Sequence, residues 1–279
     1  MSHTNPHPGQ TLRGGAPDLS SRALTLAAGL WVGTTAAGLV VFAGYIAALY
    51  AWGLATGDLD RWNAVLPAGH GYVPGDVRGN LALGLHVFAA IAVALCGAIQ
   101  LIPAVRRRAP RLHRWSGRVF LTLGVGAALS GALIALTRGP VAGPYMAAGN
   151  LLDAVLVLIF ASIAWRAARR RAIDQHRRWA LRAFIVVFGV WYYRLLMMLW
   201  FAAQGGPVGH TDAFDGPWDI FLAFAHFLLP LAVLETYFLA QARGGPTGRL
   251  AGAALVALAA LATVGGTVLA ALGMWLPRL

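Results

Sequence analysis

The feature that most constrains the fold is a series of seven long apolar runs separated by short polar connections. They cover about residues 23–52, 79–103, 115–137, 147–166, 180–203, 217–242 and 250–276. A helix needs roughly 20 mostly apolar residues to cross a bilayer, and it satisfies its backbone polar groups internally, as the hydrocarbon interior requires. The runs account for most of the 279 residues. The sequence therefore predicts an all-α integral membrane protein that forms a bundle of seven transmembrane helices.

The distribution of arginine predicts how this bundle is oriented. The net charge is +12 and all 22 cationic side chains are arginine. Most of them lie in the connections 104–114, 167–179 and 243–249, whereas the opposite connections are acidic. Cytoplasmic loops carry the excess of positive charge, so the N-terminus is expected inside and the C-terminus outside. We expect a multi-pass protein of the bacterial inner membrane.

The same distribution limits the partners that the charge implies. Basic segments next to membrane spans bind anionic lipid headgroups at the inner face, so nucleic-acid binding is not expected. Residues 1–22 are polar and rich in Pro and Gly, which predicts a disordered cytoplasmic tail. Residues 23–279 then form a single seven-helix transmembrane domain. Cys96 is the only cysteine, so any metal would be held by histidine, carboxylate or methionine.

Ionisable side chains inside the predicted spans indicate an intramembrane polar site. They are His86, Asp153, Arg194 and His226, on four different helices. At 1.5 Å per residue, all four lie roughly 10–13 Å below the outer face. Such groups are costly in a bilayer and often functional. A structural alternative remains open, in which Arg194 and Asp153 form a buried ion pair that locks the bundle.

Two further expectations concern the sixth span. Pro230 removes the hydrogen bond to the carbonyl of His226, so a kink is expected there. Glu235 lies nearer the inner face, where we expect it to pair with an arginine such as Arg182.

Two similar motifs stand where an arginine-rich connection enters an apolar run. They are His113-Arg114-Trp115-Ser116-Gly117-Arg118 and His176-Arg177-Arg178-Trp179-Ala180-Leu181-Arg182. Their arginines are typical of helix ends that bind lipid phosphate. Alternatively, the two histidines ligate a metal centre and the arginines neutralise carboxylates.

Taken together, the histidines suggest two bis-histidine pairs, one near each face. His86 would pair with His226 and His113 with His176, each pair holding a b-type haem, because neutral imidazole is a good iron ligand. The haem propionates would be held by Arg114, Arg118, Arg178 and Arg182. This hypothesis is an electron carrier with an unidentified redox partner. The alternatives are a small-molecule, ion or lipid transporter, or a structural subunit without chemistry. No common catalytic motif is present, so no enzyme class is assigned, and the oligomeric state stays open.

The motifs also carry a resemblance to a known family. Gln100, the arginine-rich turn and the two His-Arg-Trp motifs resemble the predicted membrane proteins grouped as domain of unknown function 2306. The resemblance extends over about residues 80–240 and includes His86 and Arg194, while Leu181 stands where the family often has methionine. It implies a helical membrane fold and draws attention to His86, His113, His176 and Arg194, but it implies no established activity.

Overall fold

The structure is a computed structural model that describes residues 18–65, 71–138 and 143–279. These residues form helices and turns, and no strand occurs among them, so the all-α prediction is confirmed. The loop around His70 and the tail residues His3 and His7 lie outside the described residues.

Ten α-helices follow one another along the described part of the chain. They are α1 (Leu19–Ile46), α2 (Trp52–Thr56), α3 (Val77–Leu101), α4 (Pro103–Arg108), α5 (Pro110–Arg138), α6 (Gly143–Arg169), α7 (Ile173–Val187), α8 (Gly189–Gln204), α9 (Pro217–Arg243) and α10 (Pro246–Ala270). A π-helical turn joins α1 to α2, so that Leu19–Thr56 is one long element. Four of the helices begin with proline, which has no N–H to satisfy in the first turn.

Helix α1 begins inside the segment that was predicted as tail. Asp18 caps it, because its carboxylate accepts a hydrogen bond from the Ser21 N–H at 2.7 Å. Carboxylates at this position satisfy otherwise unpaired N–H groups of the first turn. Residues 19–22, which were expected to be disordered, are therefore helical.

Among the residues that the structure describes, five helical elements are long and apolar enough to cross a membrane, which confirms a multi-pass architecture. They are Leu19–Thr56, Val77–Leu101, Gly143–Arg169, Pro217–Arg243 and Pro246–Arg278. The pair α7 and α8 adds a sixth if it is counted as one span. Helix α5 occupies the place of the third predicted run and is 29 residues long. It is not among the candidate spans found in the described part of the chain.

The fifth predicted span is bent rather than straight. Helices α7 and α8 meet at an angle of 57°. Between them, Phe188 leaves the helical region with φ −97° and ψ 15°. The predicted kink at Pro230 produces no comparable break, because α9 continues through that residue as one helix. The break in the fifth predicted span therefore lies at Phe188 and Gly189.

The bent pair lies at the centre of the bundle. Gly97 of α3 lies against the Phe188 ring, Gly38 of α1 against Trp191, and Gly266 of α10 against Leu195. A Cβ at any of these glycines would come within 2.8 Å of its neighbour. Helices α6 and α9 also pack on the pair. Small residues thus let surrounding helices approach α7 and α8 closely, as is usual in membrane bundles.

Candidate functional site

The bend between α7 and α8 brings Asp153 and His226 to the same point. A Cβ on Gly189 would lie 3.0 Å from Asp153 Oδ2 and 3.2 Å from His226 Nε2. The missing side chain of Gly189 therefore leaves a small space that the carboxyl group of α6 and the imidazole of α9 both face. These are two of the four groups that the sequence placed in one layer.

Hydrogen bonding fixes which imidazole nitrogen of His226 faces this space. His226 is fully buried, and its Nδ1 lies 2.7 Å from the Leu222 carbonyl oxygen. A carbonyl oxygen only accepts, so Nδ1 carries the hydrogen and donates it. In the neutral ring, Nε2 then presents a lone pair towards Gly189 and Asp153. The buried Asp153 Oδ1 has no hydrogen-bond partner among the described residues.

Arg194 lies in a different setting, among aromatic side chains of α1 and the π-helical turn that follows it. Its guanidinium lies 5.6 Å from the centre of the Phe42 ring and donates to the Val190 carbonyl oxygen at 2.8 Å. Tyr45, Tyr50 and Tyr193 are near enough to interact with its charge.

No carboxylate of the described residues forms a salt bridge with Arg194. The structural ion pair between Arg194 and Asp153 is therefore not present. Within the described chain, the charge of Arg194 interacts with aromatic rings, tyrosine hydroxyl groups, one carbonyl oxygen and the like charge of Arg278.

Tyr193 connects the two groups of polar side chains. Its ring contacts the His226 ring edge-on, with centroids 5.8 Å apart, and it interacts with Arg194. The hydroxyls of Tyr193 and Tyr45 are buried and make no hydrogen bond within the described part of the protein. We call the set Asp153, His226, Tyr193, Arg194, Tyr45 and Tyr50 the polar network.

His86 does not join this network through any contact that we observe. Its Nδ1 lies 3.2 Å from Ser130 Oγ of α5, and its side chain is half-buried. The rings of His86 and His226 thus have different neighbours. The predicted bis-histidine pair near the outer face is not assembled by these contacts.

The two motif histidines lie near each other at the end of the bundle that carries the arginine-rich connections. His113 and His176 interact electrostatically, and Arg106 and Arg114 lie close to His113. His113 Nδ1 is buried without a partner among the described residues. His176 Nδ1 donates to the Ala164 carbonyl oxygen at 2.9 Å, which leaves its Nε2 as the acceptor.

The predicted inner arginines lie in different settings. Arg182 forms a bidentate ion pair with Glu235, at 2.6 and 2.7 Å, which confirms the pairing expected from the sequence. Arg118 and Arg178 lie over the rings of Trp115 and Phe238, each at 5.1 Å. Arg114 is exposed.

Sequence reasoning missed a contact between a histidine and an aspartate next to helix α9. His210, in the loop before this helix, contacts the fully buried Asp219, with Nδ1 and Oδ1 2.7 Å apart. Asp219 also accepts the N–H groups of Thr211 and Gly216. Its position in the first turn after Gly216-Pro217 is a helix-start signal that could have indicated this role.

Two other observations bear on bound groups. The described residues contain no cluster of three or more His, Cys, Asp or Glu side chains suited to a metal ion. One cavity of about 350 Å³ lies between α1, α8, α9 and α10, and another of about 500 Å³ lies between α5 and α6. Neither cavity is lined by a histidine.

Comparison with known proteins agrees with the resemblance drawn from the two motifs. No curated protein and no solved structure matches the chain. The model of one family, described as "Predicted membrane protein (DUF2306)", matches residues 83–214. The match includes His86, His113, Asp153, His176 and Arg194, but it ends before His226 and excludes the tyrosines of α1 and its π-helical turn. The segment from α3 to the loop after α8 is thus similar to this family of predicted membrane proteins.

Proposed function

We propose that the protein is a membrane carrier that binds a small anion at Arg194 and exchanges a proton at Asp153 and His226. The observation that carries this proposal is the environment of Arg194. A guanidinium within a membrane bundle needs a counter-charge or water, and this one has no carboxylate partner among the described residues. Arginine also matches carboxylates and phosphates in geometry, because its donors form a planar fork.

The proton-exchanging part rests on Asp153 and His226. A carboxyl group and a neutral imidazole, both facing the space at Gly189, form a pair between which a proton can pass. Tyr193 contacts the His226 ring and interacts with the charge of Arg194. Through Tyr193, a change of charge at His226 affects Arg194. A monovalent anion, such as dihydrogen phosphate or hydrogen malonate, that moves together with one proton crosses the bilayer without net charge. That arrangement lowers the electrostatic cost of transport.

The proposal includes the finer topology inferred from the sequence. The chain then crosses the bacterial inner membrane seven times, with α5 and the bent α7–α8 pair each counted as one span. The arginine-rich connections face the cytoplasm and the C-terminus faces outward. The positive-inside bias of the arginines supports this orientation.

Transport assays in liposomes test the proposal. The purified protein is reconstituted with a pH-sensitive dye inside, and inorganic phosphate or malonate is added outside as a probe anion. We expect internal acidification with at least one probe. Arg194→Gln and Asp153→Asn should each abolish it, while Arg78→Gln, at an exposed arginine of α3, should not. Acidification that persists in Arg194→Gln, or that neither probe elicits, would contradict an anion carrier.

A second function is favoured by the motif histidines. His113 and His176 interact electrostatically, and each has at least one imidazole nitrogen without a protein partner among the described residues. A bis-histidine b-type haem held by these two residues, with Arg106 and Arg114 near the propionates, would supply electron transfer. Backbone bonding of the other His176 nitrogen is typical of metal ligands.

An absorption spectrum of the purified protein, recorded before and after reduction with dithionite, tests this alternative. A low-spin haem should give a sharpened α-band on reduction, and His176→Ala should remove it, whereas His210→Ala should not. Colourless protein from haem-replete cells would rule out the haem hypothesis and leave the carrier proposal intact.

A further inference from the structure

A groove between α5 and α6 lies apart from the polar network and from the motif histidines. It has a volume of about 500 Å³. The residues that line it are Leu121, Thr122, Val125, Ala161, Ser162, Trp165 and Arg166. Both helices run through the region that the sequence assigns to the bilayer, so the groove opens towards lipid.

The groove is apolar along most of its length and polar at one end. Leu121, Val125 and Ala161 form apolar walls, and the Trp165 side chain is 40% exposed beside them. Tryptophan prefers the level of the lipid headgroups, because its ring is apolar and its N–H needs a polar partner. The position of Trp165 therefore places this end of the groove at the membrane interface.

Positive charge collects at the same end. Arg166 lines the groove, and Arg118 lies one helical turn before Leu121 and Thr122 on the same side of α5. Both side chains are exposed. The described residues contain no carboxylate that forms a salt bridge with either of them. Arg166 only donates to the Ser162 carbonyl oxygen within its own helix, at 3.3 Å.

We propose that this groove binds one anionic phospholipid, with an acyl chain along the apolar walls and the headgroup phosphate between Arg118 and Arg166. Basic pockets between helices on the cytoplasmic side are known to hold anionic headgroups. The apolar walls favour a lipid over a soluble anion, because a free phosphate would leave them uncovered. A zwitterionic lipid carries its own cation next to the phosphate and gains less from the arginines.

Native mass spectrometry tests the inference by measuring how tightly each probe binds to the delipidated protein in detergent. The probes are phosphatidylglycerol and phosphatidylcholine with identical acyl chains, together with inorganic phosphate alone. We expect phosphatidylglycerol to bind about tenfold more tightly than phosphatidylcholine, the order of magnitude for two arginines beside an anionic headgroup. Equal affinity for the two lipids, or equally tight binding of inorganic phosphate, would overturn the proposal.

Matched variants locate the site. The double variant Arg118→Gln and Arg166→Gln should lose the preference for phosphatidylglycerol. Arg170→Gln with Arg177→Gln, two exposed arginines at the same end that do not line the groove, should keep it. Ser162→Trp, which fills the groove without removing charge, should weaken the binding of both lipids. If the control pair loses the preference as fully as the groove pair, lipid binding is diffuse and the inference is wrong.

Discussion

For Arg194, a functional role can be distinguished from a purely structural one by experiment. The described groups that interact with it are aromatic rings, tyrosine hydroxyls, the Val190 carbonyl oxygen and Arg278, and Asp153 is not among them. We expect a double-mutant cycle of Arg194→Gln and Asp153→Asn, measured by denaturant unfolding in detergent, to give a coupling energy below about 0.5 kcal/mol. A structural ion pair would instead give strong coupling, because each single change would leave a buried charge unpaired.

Gly189 is the residue on which the arrangement of Asp153 and His226 depends. In Gly189→Ala, the new Cβ would meet His226 Cδ2 at 2.9 Å and Asp153 Oδ2 at 3.0 Å. We expect a loss of about 1–3 kcal/mol in unfolding free energy, the usual range for overpacking. Gly126→Ala is the control, because a Cβ at Gly126 meets nothing within 4 Å. It should be neutral or stabilising by about 0.5–1 kcal/mol from helix propensity alone, and similar losses in both variants would argue against crowding at Gly189.

At the scale of elements, Asp219 joins helix α9 to the loop that precedes it. Its buried carboxylate accepts from His210, Thr211 and Gly216. Asp219→Asn removes the charge from these bonds and should lower the unfolding free energy by about 1–3 kcal/mol. Asp215→Asn, at an exposed neighbour, should have an unfolding free energy within about 0.5 kcal/mol of the wild type. Thermal unfolding scans of both variants measure the two effects. An equal effect of the two changes would show that burial of Asp219 is not what matters.

The start of helix α1 should depend on pH. The backbone N–H of Ser21, with the Ser20 and Ser21 hydroxyls and the nearby Arg249, lowers the pKa of Asp18 to about 2. A folded-state pKa below the ordinary 3.8 means that the cap contributes stability above that pH and loses it as pH falls towards 2. Protection factors in the first turn, which compare exchange with the intrinsic rate at the same pH, should therefore fall below pH 4 and in Asp18→Ala at neutral pH. Asp58→Ala is the control. It should leave hydrogen exchange in the short helix Leu59–Asn63 unchanged, because the Asp58 side chain makes no capping hydrogen bond.

At the scale of the whole molecule, the number of crossings decides where the C-terminus lies. Five described elements qualify as spans and the bent pair can add a sixth, so the seventh depends on α5. With seven crossings, alkaline phosphatase fused after Leu279 should be active and green fluorescent protein fused there should be dark. The reverse pattern would indicate an even number of crossings and would remove the seven-span topology.

Some features of the site followed from the sequence because they depend on depth alone. Glu235 and Arg182 were expected at the same level of the membrane, and the structure pairs them. His113 and His176 were expected at one end, and they lie near each other. Depth could not show that Arg194 lies among the side chains of α1 and its π-helical turn while Asp153 lies beside α9, because helices at one depth can be arranged around a bundle in many orders.

The sequence by itself determined the membrane character, the all-α class and the end of the bundle that carries the arginines. These follow from hydropathy, helix length and charge, which act locally along the chain. Tertiary structure alone decided that the central span bends at Phe188 and that Gly189 lets Asp153 and His226 face one space. It also decided that His210 binds Asp219. Such contacts depend on how side chains from distant helices fit together in three dimensions, and no periodicity of a single segment carries that information.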